Sequence, residues 1–335
     1  MIKKILSVVL LCIVLAAAVL GADVARFFDR PLGNIQAQLI SVEPGMSFRR
    51  VVSRLADERI ISDRRDVLYL TTYARLTGQA TSVKSGEYLV PAEQTPAQLI
   101  ALLVSGKIRQ HRLTVVEGWR FNQIMQAVDH DGALKHTLKG KDDDAIMQAI
   151  GHPGEAPEGR FLPDTYMFPR GMTDVAFLKR AYKAMDDFLT HAWTRRADDT
   201  VVKTPYQALV LASIVEKETA VRAERGRIAG VFSRRLEQGM RLQTDPSVIY
   251  GIANYDGNIH KSDLERDTPY NTYTRAGLPP TPIASPSRAA IEAALHPDTG
   301  SALYFVSRGD GTHVFSDTLA GQNRAVRRYQ LRGGS

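Results

Sequence analysis

The chain has little cysteine: Cys12 stands alone in 335 residues. That excludes a disulfide framework and a cysteine-based zinc site. The sequence also lacks H-E-x-x-H, G-x-S-x-G, S-x-x-K, a P-loop and G-x-G-x-x-G. Most metallohydrolase, serine-hydrolase and nucleotide-dependent chemistries fall with them. The eight histidines show no metal-ligand spacing, so neither a metal nor a cofactor is expected. No basic run is dense. Lys and Arg number 43 against 36 Asp and Glu, and the net charge of +7 is spread along the chain. Nucleic acid is therefore not an expected partner, although an anionic polymer suits the charge. With 44% hydrophobic and 24% charged residues, the composition is that of packed cores and not of a disordered or collagen-like chain.

Only one long apolar run is present, which excludes a polytopic membrane protein. It extends from Ile5 to Ala22, interrupted by Ser7 and Gly21 and preceded by Lys3 and Lys4. As a helix it reaches about 27 Å, close to the hydrocarbon thickness of a bilayer. The lysines should stay in the cytoplasm, so everything after Ala22 should be exported. Val19-Leu20-Gly21 is a passable processing site, but no A-x-A ends the run, so a retained anchor is favoured over a cleaved signal peptide. Cys12 then lies within the membrane segment, and the exported part folds without disulfide chemistry.

Residues 23–38 read as a linker. A weak repeat of strand, turn and helix follows. Its first unit runs from Ile40 through Pro44, Gly45 and Ser47 into Val51, Val52 and Leu55. The second runs from Tyr88 through Thr95-Pro96 into Leu99, Ile100 and Leu103. The third runs from Leu113 through Gly118 into Phe121, Ile124 and Val128. Ser47 and Thr95 suit helix N-caps, and Pro96 suits a first helical position. The first two units, residues 39–110, resemble the LysM type of glycan-binding module, with a generic βα unit as the alternative. Residues 129–158 are polar and read as a helical excursion with loops. Residues 159–169 read as an ordered, aromatic loop lining a site. Helices are expected over 174–195, after Thr204-Pro205, and over 223–238, where Gly239 ends the last of them.

One carboxylate stands out. In the helix after Pro205, the apolar face is set by Leu211, Ile214 and Val215. Glu218 follows these at seven, four and three positions and shares their face. Glu216 is about 200° away and is expected to point outward. An inward glutamate loses solvation, its pKa rises, and it becomes a general acid suited to a glycosidic bond. The competing reading is a structural ion pair of Glu218 with Arg222, Arg225 or Arg227. Downstream, Gln243, Thr244 and Asp245 precede Pro246. Tyr270, Asn271, Thr272 and Tyr273 then precede the proline-stiffened stretch 277–284. Amides, hydroxyls and aromatic faces on stiff loops are the groups that grip a sugar.

The stretches 212–219 (ASIVEKET), 241–251 (RLQTDPSVIYG), 270–273 (YNTY) and 277–280 (GLPP) resemble the YceG-like family, the endolytic murein transglycosylases. So do 159–166 (GRFLPDTY), Tyr304-Phe305-Val306, His313-Val314-Phe315 and Asn323. The resemblance spans residues 42–329. It implies an α+β chain with an N-terminal transmembrane helix (1–22), a linker (23–38), a LysM-like sheet-and-helix subdomain (39–110) and a mixed α/β catalytic domain (111–335). It places the catalytic glutamate at Glu218, the residue that the periodicity also selects. It implies an inner-membrane, single-pass protein with its catalytic domain in the periplasm, acting on peptidoglycan glycan strands, with cell-wall synthases as candidate partners. The implied reaction is non-hydrolytic. Glu218 protonates the oxygen between N-acetylmuramic acid and N-acetylglucosamine, then deprotonates the muramic C6 hydroxyl, which closes on C1. One carboxylate then suffices, where a hydrolase usually needs two. Substrate-binding roles are expected for Gln243, Thr244, Asp245, Tyr270, Asn271, Thr272 and Tyr273. The rivals are a hydrolase using Glu218 with Asp245, and a non-catalytic glycan-binding anchor.

Overall fold

The computed structural model describes residues 2–33, 36–43, 45–61 and 64–331. Pro44 of the first repeat unit lies outside them. Two compact units are present: Met1–His111 with Phe168–Arg170, and Arg112–Met167 with Gly171–Ser335.

The first unit opens with helix α1 (Ile2–Asp29). Residues Lys4–Asp29 are long and apolar enough to cross a membrane, and none of their most apolar stretch is buried in protein. The helix does not stop at Ala22 but continues through the first residues read as a linker. Phe27, and Leu32 beyond the helix, are buried in the unit's core, which a free linker would not do. Strands β1 (Gln38–Val42) and β2 (Gly86–Val90) pair antiparallel, Gln38 opposite Val90 and Val42 opposite Gly86. Strand alternation buries Ile40, Val42, Tyr88 and Val90 while Leu39 and Leu89 stay exposed. Helices α2 (Phe48–Asp57), α3 (Arg64–Leu76) and α4 (Pro96–Ser105) complete this core. Ser47 caps α2, and Thr95 forms a capping box with Gln98 at α4, as their positions before apolar runs predict. Helix α3 has no counterpart in the repeat reading, although Ser62-Asp63 before it and Gly78 after it are residues of the kind that bound a helix.

The second unit holds most of β3 (Gln110–Val115), then α5 (Phe121–His130), α6 (Asp143–Ile150) and most of β4 (Asp164–Pro169). The Thr114 and Thr165 hydroxyls lie 2.9 Å apart, linking β3 to β4. Residues 159–169 do not line a site as their composition suggests. Phe161, Leu162 and Phe168 are fully buried, so this aromatic stretch builds core. Helices α7 (Asp174–Thr194), α8 (Pro205–Glu218), α9 (Arg225–Glu237), α10 (Asp245–Gly251), α11 (Lys261–Glu265) and α12 (Arg288–Leu295) follow. A hairpin of β5 (Tyr304–Ser307) and β6 (His313–Ser316) and a last helix, α13 (Leu319–Tyr329), complete the unit.

Helix α8 is the axis of this unit. Thr204 accepts from Gln207 N at 3.1 Å and Pro205 occupies the first turn, the arrangement that favours helix initiation. Residues 208–215 are all buried, because α7, α9, α10 and α12 pack around the helix. Every azimuth of α8 therefore meets protein. The residues are apolar all round, as a helix enclosed on all sides must be.

Candidate active site

Glu218 is the last residue of α8. The side chain is partly open to solvent, but protein packs densely around its carboxyl. Burial is the largest cause that pushes this carboxyl up to about 7, and the charge of Asp245 adds to it. The negative end of the helix dipole acts in the same direction. A hydrogen bond from Thr244 and the more distant Arg235 cation oppose the rise. A glutamate so poised holds its proton near neutrality and can both give and take one.

The Thr244 hydroxyl donates to Glu218 Oε1. Thr244 is the buried N-cap of α10, and its position is fixed from behind. Its N–H donates to Thr272 Oγ1 at 3.0 Å, its carbonyl accepts from Ser247 Oγ at 2.9 Å, and Ser247 and Thr272 meet at 2.9 Å. Gln243 adopts φ +52°, a left-handed conformation that costs a non-glycine residue energy and is found where a site demands it. The bend is held by Gln243 N–H to Thr272 O at 3.1 Å. Asp245, at the start of α10, is exposed and accepts from Tyr273 Oη at 2.6 Å. Burial and Asp245 keep the Tyr273 hydroxyl protonated, well above the usual phenol range.

The seven residues expected to bind substrate therefore divide. Thr244, Asp245 and Tyr273 gather at Glu218. Gln243 and Thr272 shape the turn that carries Thr244. Asn271 is turned inward: it is 1% exposed. Its Nδ2 donates to the carbonyls of Asp263, Leu264 and Arg266 at 3.0, 3.0 and 2.6 Å, and its Oδ1 accepts from Tyr273 N. It holds the loop and offers no amide to a ligand. Tyr270 points to a neighbouring cavity.

Glu216 does not point outward. Its side chain is 6% exposed and bonds Arg225 Nη2 at 3.0 Å, Ser287 N–H at 2.9 Å and Ser287 Oγ at 2.5 Å. The helical phase places it opposite Glu218 correctly, but Arg225 of α9 and Ser287 at the start of α12 cover that side of α8. Arg225, one of the arginines considered for Glu218, is thereby engaged by Glu216. Arg225, Ser287 and the supporting Ser247 carry no sequence signal for these roles, since their partners lie on other elements.

A carboxyl with a raised pKa, gripped by one hydroxyl and faced by aromatic and acidic groups, has the chemistry of a general acid. The chain belongs to the YceG-like family, whose profile matches residues 40–328. It is similar to the endolytic murein transglycosylase of Bacillus subtilis, with 30% identity over 87% of this chain and 84% of that protein. The Streptococcus pneumoniae protein of the same name is 30% identical over 68% of this chain and 47% of its own length. The crystal structure of the yceG-like protein lmo1499 from Listeria monocytogenes matches at a TM-score of 0.53 and 27% identity, over 87% of this chain and 99% of that one.

Proposed function

We propose that this protein is a membrane-anchored lytic transglycosylase that cuts peptidoglycan strands internally, with Glu218 as its acid and base. The observation that carries the proposal is the Glu218 carboxyl itself, at the end of α8, raised to about 7 and bonded to Thr244. Protonated, it delivers its proton to the oxygen between N-acetylmuramic acid and N-acetylglucosamine as that bond breaks. Ionised, it takes the proton of the muramic C6 hydroxyl as that oxygen bonds to C1, leaving a 1,6-anhydro end. The proton taken restores the acid for the next cycle. The names of the relatives support the substrate and the reaction class. The two-stranded sheet and helices of the first unit support a glycan-holding, LysM-like role for residues 39–110.

The reaction is tested on purified glycan strands in ¹⁸O-labelled water. The expected product carries an anhydro end and no label. A labelled reducing end, one water heavier, would establish hydrolysis and make Asp245 the residue to test as the second carboxylate.

Topology has its own test. Lys3 and Lys4 before the apolar run support a cytoplasmic N-terminus and a periplasmic catalytic unit at the inner membrane. A periplasm-dependent reporter fused after Ser335 should be active and a cytoplasm-dependent one silent. The reverse pattern would overturn this orientation.

A further inference from the structure

In the unit that holds Glu218 lies a cavity of about 520 Å³, lined by Arg120, Asn122, Glu158, Tyr250, Tyr270 and Thr281 among others. Its volume is in the range of small-molecule sites. A linked set of hydroxyls shapes it. The Tyr250 hydroxyl faces the Glu158 carboxyl and Thr281. The Thr281 and Tyr270 hydroxyls lie 2.9 Å apart. The Tyr250 and Tyr270 rings pack edge to face at 4.8 Å, and Arg120 covers Tyr250 at 4.9 Å. Glu158 is 6% exposed and accepts from Phe121 N–H at 3.1 Å, so it is anchored to the start of α5. The next residue, Gly159, has φ +76°, and a Cβ there would lie 2.5 Å from Pro282 Cβ. Only glycine permits that approach, which sets Glu158 beside the segment that carries Thr281.

The cavity is tied to the reaction centre by two short segments. Helix α10 carries Asp245 at one end and Tyr250 near the other, about 7.5 Å along its axis. The stretch 270–273 carries Tyr270 into the cavity and Tyr273 onto Asp245. A glycan strand passing Glu218 covers such a distance in a couple of sugar rings.

We infer that this cavity is a saccharide subsite, which takes an N-acetylhexosamine ring of the strand away from the bond being cut. Aromatic rings, an amide, a hydroxyl and a guanidinium together suit a ring with one apolar face and polar edges. Arg120 shares the lining with Asp143 and Glu158, so the cavity is mixed in charge and is not a purely anionic-ligand site. Glu158 is a positioning residue here, holding Tyr250. The inference rests on the proposed glycan substrate and adds where the strand is held.

The test compares the full-length protein with Asn122→Ala and Thr281→Val on glycan strands of graded length, with and without stem peptides. Asn122 is exposed, so its variant should fold. The expected result is a KM about tenfold higher on long strands, with kcat unchanged, and no change on the shortest fragment cleaved, because the lost contacts act on binding alone. Equal KM values at every length would overturn the subsite. So would an effect confined to strands that carry stem peptides, which would mark a peptide site. The ends of the products, anhydro or reducing, are read in the same assays. Failure of the transglycosylase reading is thus seen separately from failure of the subsite.

Discussion

Glu218→Gln should abolish detectable strand cleavage, a loss of about 10²–10⁴-fold, the usual worth of general acid–base catalysis. The amide keeps the volume and can still accept from Thr244, so the fold should stand. It should stand more firmly, in fact. The folded-state pKa of Glu218, about 7, exceeds the ordinary 4.5. Between these values the folded state holds more protons than the unfolded one, so stability falls as pH rises through this window. Glutamine never ionises and escapes that loss. The variant should therefore melt at a higher temperature than the parent at pH 8 and close to it at pH 4. In the parent, activity limited by the protonated acid should decline as pH rises past about 7. Retained cleavage by Glu218→Gln, or an activity that climbs steadily to pH 9, would remove Glu218 from the role of acid.

Glu216→Ala is expected to be the second large effect, of a different kind. It strips the close, buried partner from Arg225, whose side chain is 5% exposed and whose Nε and Nη1 make no hydrogen bond, and leaves it only the half-exposed Glu117 at 3.9 Å. Breaking a buried pair costs about 3–5 kcal/mol, or roughly 10 °C in melting temperature for a unit of this size. Ser287, the N-cap of α12, loses its acceptor as well. The helical phase alone predicts a mild substitution on an outward face; the packing around α8 predicts the opposite. Thermal unfolding of the purified variant decides between them: a melting temperature within a degree or two of the parent would mean that the buried pair contributes little. Because α8 ends at Glu218, activity should fall along with stability, whereas Glu218→Gln loses activity alone.

What was legible in the sequence depended on local physics. The apolar run before Ala22, the caps Ser47, Thr95 and Thr204, the extent of α7 and the start of α8 rest on neighbours within a few residues. So does the choice of Glu218, which needs only helical periodicity and an apolar face. Ordered stretches around Asp245 and Tyr270 carried the family resemblance because they are continuous in the chain. The tertiary structure decided everything that depends on which elements meet. Asn271 looks like a sugar-binding amide until three carbonyls of residues 263–266 surround it. Phe161 and Phe168 look like a groove wall until they are found fully buried. Glu216 looks solvent-facing until α9 and α12 close over its side of α8. The cavity around Glu158 joins residues from six separate stretches, and no spacing in the sequence brings them together. Periodicity assigns a side chain its direction, but only packing determines whether protein or water lies there, because burial is a property of neighbours distant along the chain.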